Sequence, residues 1–274
     1  MRIFIVFLFI FSFSLSNAQA TRIVYEYFFI PDTNDRKSVR NEYMLLDIQE
    51  DGSDFYSYRN YVVDSTALAH TKKGLHYMPP NREYIDLRIL KNRIADQVHM
   101  ITKVGSVVYD VEDPRKPEWK ITNMKSEILG HTVTSAETNF GGRNWVAWFA
   151  PDFPVQEGPY KFRGLPGLIL KLEDTQKNHV FTATQIVKLK DQQEYPLTDN
   201  STPVKKISIA DLKKIITEYR KDPLKNLRGR YPDQADSEGN FRTGEQVFRD
   251  EEKRFKERIK KDNNILEIDL LDHL

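Results

Sequence analysis

Short runs dense in β-branched and aromatic residues, each closed by a turn signal, recur along most of this chain and dictate a sheet. Ile23-Val24-Tyr25-Glu26-Tyr27-Phe28-Phe29 is the first, ended by Pro31-Asp32. Tyr43 to Ile48 follows, closed by Glu50-Asp51-Gly52, and Ser53 to Tyr58 continues that hairpin. Val62 to Ala69 is ambiguous and fits a short helix. Gln97 to Thr102 and Ser106 to Val111 read as two strands about a turn at Gly105, and Glu118 to Thr122 follows a proline-bracketed link. Ser135 to Phe140 and Trp145 to Phe149 flank Gly141-Gly142-Arg143-Asn144, which predicts a hairpin. Leu168 to Glu173 and Val180 to Val187 form a further pair around Asp174 to Asn178.

After Pro203 the period changes. Ser208 is a plausible N-cap for a helix carrying Leu212, Ile215, Ile216 and Tyr219 on one face. Gly244 to Lys261 predicts a charged helix with an apolar stripe of Phe248, Phe255 and Ile259, suited to one-sided docking. Leu266-Glu267-Ile268-Asp269-Leu270 alternates like a terminal strand. The fold expected is mainly β (α+β): a curved antiparallel sheet or partly open barrel, with helices near the C-terminus. Residues 21–203 would form the β-rich domain, and 204–274 a helical extension packed on it.

Residues 1–20 have the pattern of a cleavable export signal. Arg2 precedes the apolar run Ile3 to Phe11, and Ser16-Asn17-Ala18-Gln19-Ala20 offers small residues for cleavage after Ala18 or Ala20. The run is shorter than the roughly 20 residues a membrane span requires. An exported chain without cysteine has no disulfides, so its stability must come from a packed core. The same absence removes thiol catalysis, cysteine-based metal centres and lipidation after the signal. With 41 basic and 40 acidic side chains, no net field draws the chain to nucleic acid or to an anionic membrane. No later segment is apolar enough to span a bilayer.

The most unusual segment runs from Ala147-Trp148-Phe149 through Pro151 and Pro154 to Gly158-Pro159-Tyr160-Lys161-Phe162 and Gly164-Leu165-Pro166-Gly167-Leu168-Ile169. Leu165-Pro166-Gly167-Leu168 suits a type II turn, with proline presetting φ and glycine taking a positive one. Its flanks are apolar, so the turn is either tucked into the protein or pressed on something else. The prolines stiffen the whole crossing.

These residues resemble the GLPGLI family of exported bacterial proteins, whose hexapeptide stands here at Gly164 to Ile169. The resemblance extends to Gly141-Gly142-Arg143, Ala147-Trp148-Phe149 and Gly158 to Phe162. It implies a protein of the Gram-negative envelope, periplasmic or surface-associated, with an envelope or outer-membrane partner such as a TonB-dependent receptor. It implies no particular activity. Where family members show a cysteine and a lysine ahead of Gly-Gly-Arg, this chain has Gly130 to Ala136 without either.

Tempting catalytic sets are weak. Of the six histidines (His70, His76, His99, His131, His179 and His273), none forms the helical pair with an acid that zinc hydrolases use. No nucleophile elbow or phosphate loop occurs, and Asp110/Asp113 and Glu173/Asp174 read as ordinary carboxylates. Arg143 follows two glycines at a hairpin tip and is the charged residue best placed to hold a carboxylate; its ordinary alternative is to cap loop carbonyls or pair with Asp152. Trp145 and Trp148 should face opposite sides of their strand, and Tyr160 and Phe162 should pack the loop down. The leading expectation is a binding or accessory protein that uses Arg143, Trp148, Tyr160, Leu165, Pro166, Gly167 and Leu168 toward a partner or ligand, with no metal or cofactor. The alternatives are a hydrolase of envelope peptide or glycan, which requires two carboxylates converging with Arg143, and a lipid or lipoprotein carrier, which requires a cavity inside the sheet.

Overall fold

A computed structural model describes residues 20–78, 85–190, 194–196, 204–235 and 239–271. The export signal, the boundary at Pro203 and His273 lie outside them. Twelve strands form one sheet: β1 (Thr21–Phe29), β2 (Arg40–Ile48), β3 (Gly52–Ser57), β4 (Leu87–Asn92), β5 (Gln97–Val104), β6 (Val107–Glu112), β7 (Lys120–Ile128), β8 (His131–Phe140), β9 (Arg143–Ala150), β10 (Leu168–Asp174), β11 (His179–Lys188) and β12 (Val204–Ser208). Their order is β12-β6-β5-β4-β3-β2-β1-β11-β10-β9-β8-β7. Every pairing is antiparallel except β12 on β6, so the sheet is mixed, and it stays open rather than closing into a barrel.

Two meanders meet at β1. One runs outward from β1 to β6, and the other begins at the far edge with β7 and returns inward to β11. Between them only residues 113–119 connect β6 to β7. Such a link reaches about 28 Å when fully extended. Ten strand spacings in a flat sheet would separate the same strands by about 48 Å. The sheet therefore has to curl until its edges approach. Trp119 fixes the link by donating its indole N–H to the Arg163 carbonyl at 2.9 Å.

Three helices pack around this frame. α1 (Tyr58–Lys72) is capped by Ser57, and its Tyr61 stacks on Tyr56 of β3. α2 (Ile209–Lys221) begins at the expected N-cap, Ser208. α3 (Gly244–Lys261) opens with a capping box between Thr243 and Gln246. Strands β4 and β12 were not anticipated, because Leu-Arg-Ile-Leu-Lys-Asn and Val-Lys-Lys-Ile-Ser carry charges that blur the apolar pattern. With β12 on the edge of the sheet, the segment after residue 203 is partly sheet and not only a helical extension. The expected terminal strand at Leu266 to Leu270 is instead a single 3-10 turn, Ile268–Leu270. Glu267 and Leu270 both turn inward there, which the period of a strand would forbid.

The core lies on the face carrying Ile23, Tyr25, Tyr27, Leu46, Phe55 and Ile89. The opposite face carries α1 and an ionic layer. Arg22 pairs with Asp47 at 2.7 Å, and Arg88 holds Asp54 through two nitrogens.

Candidate functional site

Residues 151–167, between β9 and β10, fold back across the interior of the curl. Tyr160, Phe162 and Leu165 are buried in it, with the Phe162 ring 4.9 Å from Trp145 and 5.4 Å from Phe140. The far end is anchored on β3 and β4. There the buried Lys91 ammonium meets Glu157 at 2.9 Å and donates to the Gly158 carbonyl at 2.7 Å, while Ser53 donates to Glu157 at 2.9 Å. Burial pushes Lys91 below the ordinary lysine range, and the Glu157 charge opposes that. Tyr25 completes the anchorage by donating to the Ile169 carbonyl at 2.6 Å.

The apolar turn is thus tucked in. Leu165 and Leu168 are each 1% exposed, and Pro166 and Gly164 show at the surface. The turn is also tighter than the expected type II form: the Gly167 N–H donates to the Leu165 carbonyl two residues back, closing a γ-turn on Pro166. Gly167 has φ +154, and a Cβ there would sit 2.3 Å from the Ala150 carbonyl oxygen. Trp145 is buried and Trp148 half-exposed, on opposite faces as the strand period requires. Tyr160 adopts φ 54 in a turn, so it and Phe162 are brought inward without an extended backbone.

The C-terminal segment after α3 lies over the β8–β9 hairpin and is gripped by two polar clusters. Gly141 and Gly142 turn the hairpin with φ of 62 and 78, and a Cβ on either would come within 2.9 Å of Glu267 or Ile268. Arg143 is buried. It donates to the Ile265 and Leu266 carbonyls, to the Asn264 side chain at 2.5 Å and to Asp174 at 3.2 Å. Its carboxylate partner is therefore Asp174 and not Asp152, which accepts from His131. Only one carboxylate meets Arg143 among the described residues, so the convergence that a hydrolase would need is not formed. His179 joins the same cluster. Its Nε2 faces the Asn264 carbonyl at 2.9 Å, which can only accept, so Nε2 carries the hydrogen and Nδ1 accepts from Tyr27 at 2.7 Å. Burial, aided by Arg143, lowers His179 to about 3 and keeps it neutral.

The second cluster is ionic. Lys161 bridges Asp113, at 2.7 Å, and Glu267; Arg115 binds the same two acids and reaches Asp269; and Tyr160 donates to Glu267. Burial alone would raise Asp113, but the Arg115 hydrogen bond and the Lys161 charge outweigh it and hold the group at about 2. Sequence reasoning missed Lys161 and Glu267, whose only signal was a charge placed within an apolar run, and passed over Asp113 as an ordinary carboxylate.

Beside this plugged region the interior is open. A cleft of about 920 Å³ lies between the sheet, α2, the end of α3 and the C-terminal segment. Met100, Phe29, Leu212, Ile216 and Leu270 are among its apolar walls, and Tyr27, His179, Tyr160 and Glu267 line it from the two clusters. Tyr27 and Tyr160 are pushed well above the ordinary tyrosine range by burial. At this end of the lining the tyrosine hydroxyls are engaged by His179 and Glu267, and the Glu267 carboxylate is held by Lys161 and Arg115. Among the described residues no group of histidines and acids is arranged to hold a metal ion, and no helix is long and apolar enough to cross a membrane.

A family model described as "Protein of unknown function (Porph_ging)" matches residues 105–171. That span carries the link, the β8–β9 hairpin, Arg143, Lys161 and the whole plug. Two crystal forms of PNGF-II, in space groups P21 and C2, are similar in fold, each with a TM-score of 0.50, at 19% and 20% identity. The match covers 73% of this chain and 33% of that one, so this chain spans about a third of the length of PNGF-II. No curated protein matches the sequence.

Proposed function

We propose that the protein is an exported binding protein of the cell envelope whose ligand seat is the cleft between the curled sheet and α2. The observation that carries this reading is the open volume of about 920 Å³, next to an interior otherwise filled by the proline-rich plug. Its size falls within the roughly 300–1,000 Å³ typical of small-molecule sites. Its lining favours capture over chemistry, because the polar groups at its base are held by one another. Under this reading the plug is the rigid wall of the seat, and Arg143 and Tyr160 support it by fixing the C-terminal segment. An envelope or outer-membrane partner, of the TonB-dependent receptor kind that the family resemblance implies, belongs to the same proposal as the donor or acceptor of the ligand.

The test is titration of the full chain with the neutral fluorophore N-phenylnaphthylamine. Saturable enhancement is expected. It should be lost in Ile216→Trp and in Thr102→Trp, which fill the cleft from opposite walls, and kept in Val187→Trp on the exposed end of β11. Absence of saturable binding, or retention of it in both cleft-filling variants, refutes the reading.

A further inference from the structure

The charge around the cleft is uneven, and this narrows the ligand. At the base, the Tyr27 hydroxyl is engaged by His179 and the Tyr160 hydroxyl by Glu267, whose carboxylate is also held by Lys161 and Arg115. The base therefore has little to offer a polar ligand, and a group seated on it is best apolar. The mouth differs. Lys103 on β5, Arg220 on α2 and Arg258 on α3 all line it. None of the three has a carboxylate within salt-bridge distance among the described residues. Arg220 is held in place instead by backbone: it donates to the Asp262 and Ile259 carbonyls, each at 2.9 Å. A guanidinium has five N–H donors, so this grip leaves others for a ligand. Arg258 lies with its cation 5.1 Å from the Phe255 ring centroid. The acids that share the lining are Asp86, Asp262, whose charge acts on Arg220 without pairing with it, and Glu267, which is ion-paired to Lys161 and Arg115.

Resting on the cleft as ligand seat, we infer that the ligand is a single-chain anionic amphiphile, its hydrocarbon tail on the apolar walls and its carboxylate or phosphate head among Lys103, Arg220 and Arg258. Apolar burial of the tail supplies most of the affinity, growing with each methylene seated. The cations supply orientation and selectivity for the head. Both head chemistries satisfy the same three cations, and the experiment separates them.

With N-phenylnaphthylamine bound to the full chain, displacement is measured for palmitate, hexadecyl phosphate and the neutral hexadecanol, which share one tail length. Palmitate, hexadecyl phosphate or both should compete better than hexadecanol, and the stronger of the two names the head. In the double variant Lys103→Glu with Arg258→Glu, competition by the anionic amphiphile should weaken by about tenfold, with hexadecanol unchanged within about twofold. Both substitutions are at exposed positions, and an unchanged unfolding temperature verifies that the fold is kept. If hexadecanol competes as well as the anions, or if charge reversal leaves palmitate unaffected, the anionic head is refuted while the cleft remains a binding seat. If the fluorophore does not bind in the cleft at all, the failure lies with the seat and the inference falls with it.

Discussion

Two neighbouring regions of the curled sheet's interior are occupied very differently. In one, residues 151–167 cross from β9 to β3 and back to β10, burying Tyr160, Phe162, Leu165 and the ion-paired Lys91 and Glu157. In the other, between β5 and α2, about 920 Å³ is left open. Both are bounded by the same sheet and both contain aromatic and aliphatic side chains. The difference is that the plug brings its own polar partners, placing a backbone carbonyl or carboxylate opposite each buried cation. α2 buries Leu212 but otherwise brings a half-buried apolar stripe (Ile215, Ile216 and Tyr219), and it leaves Arg220 at the mouth. An interior closes where polar groups can be satisfied as chain enters it, and stays available where they cannot.

This contrast can be broken most forcefully at the ionic cluster. Lys161→Ala would leave Asp113 and Glu267 buried with Arg115 as their one remaining cation, and should cost about 3–5 kcal/mol of unfolding free energy in urea titrations. A cost below about 1 kcal/mol would show that the cluster does not hold the C-terminal segment down. Leu165→Ala removes a side chain from the plug and should cost about 2–5 kcal/mol. Gly167→Ala drives a Cβ into the Ala150 carbonyl and should cost about 1–3 kcal/mol, read from the shift in thermal midpoint.

Acid sharpens the comparison through the two polar clusters that hold the C-terminal segment. The folded-state pKa of His179 is depressed from 6.5 to about 3, so the unfolded chain binds the extra proton first, and stability falls as pH drops from 6.5 toward 3. Asp113, depressed from 3.8 to about 2, adds a loss that begins only below pH 3.8. The slope from His179 can reach about 1.4 kcal/mol per pH unit. His179→Phe should be less stable at neutral pH and flatter between pH 6.5 and 3; an unchanged slope would remove His179 as its source. The smallest effect belongs to the open region. Ile216→Ala, at a half-buried position on the cleft wall, should cost less than about 1 kcal/mol in the same urea assay.

Much of the sheet was legible in the sequence because strands with one buried face announce themselves by alternation. The run Ile23 to Phe29, the hairpin at Gly141-Gly142 and the strands on either side of Asp174 to Asn178 fall where the pattern places them. Strand β4 was obscured because Lys91, buried against Glu157, occupies a core position as a cation. The candidate site was less legible. Arg143 was singled out, but its ligands Asn264, Ile265 and Leu266 are more than a hundred positions away and have no local signature. Lys161 and Glu267 are likewise ordinary charges until the chain brings them together.

By itself, then, the sequence determined a cysteine-free, charge-balanced, strand-rich chain with a stiff apolar proline–glycine turn, since propensity and period are local properties of neighbouring residues. The short link 113–119 also forces the sheet to curl, once the strand order is known. Only the tertiary structure decided that the apolar turn faces inward, that buried charges lock the C-terminal segment over it, and that a cleft remains beside it. Each depends on which distant groups meet in a low-dielectric interior, and no local pattern encodes that meeting.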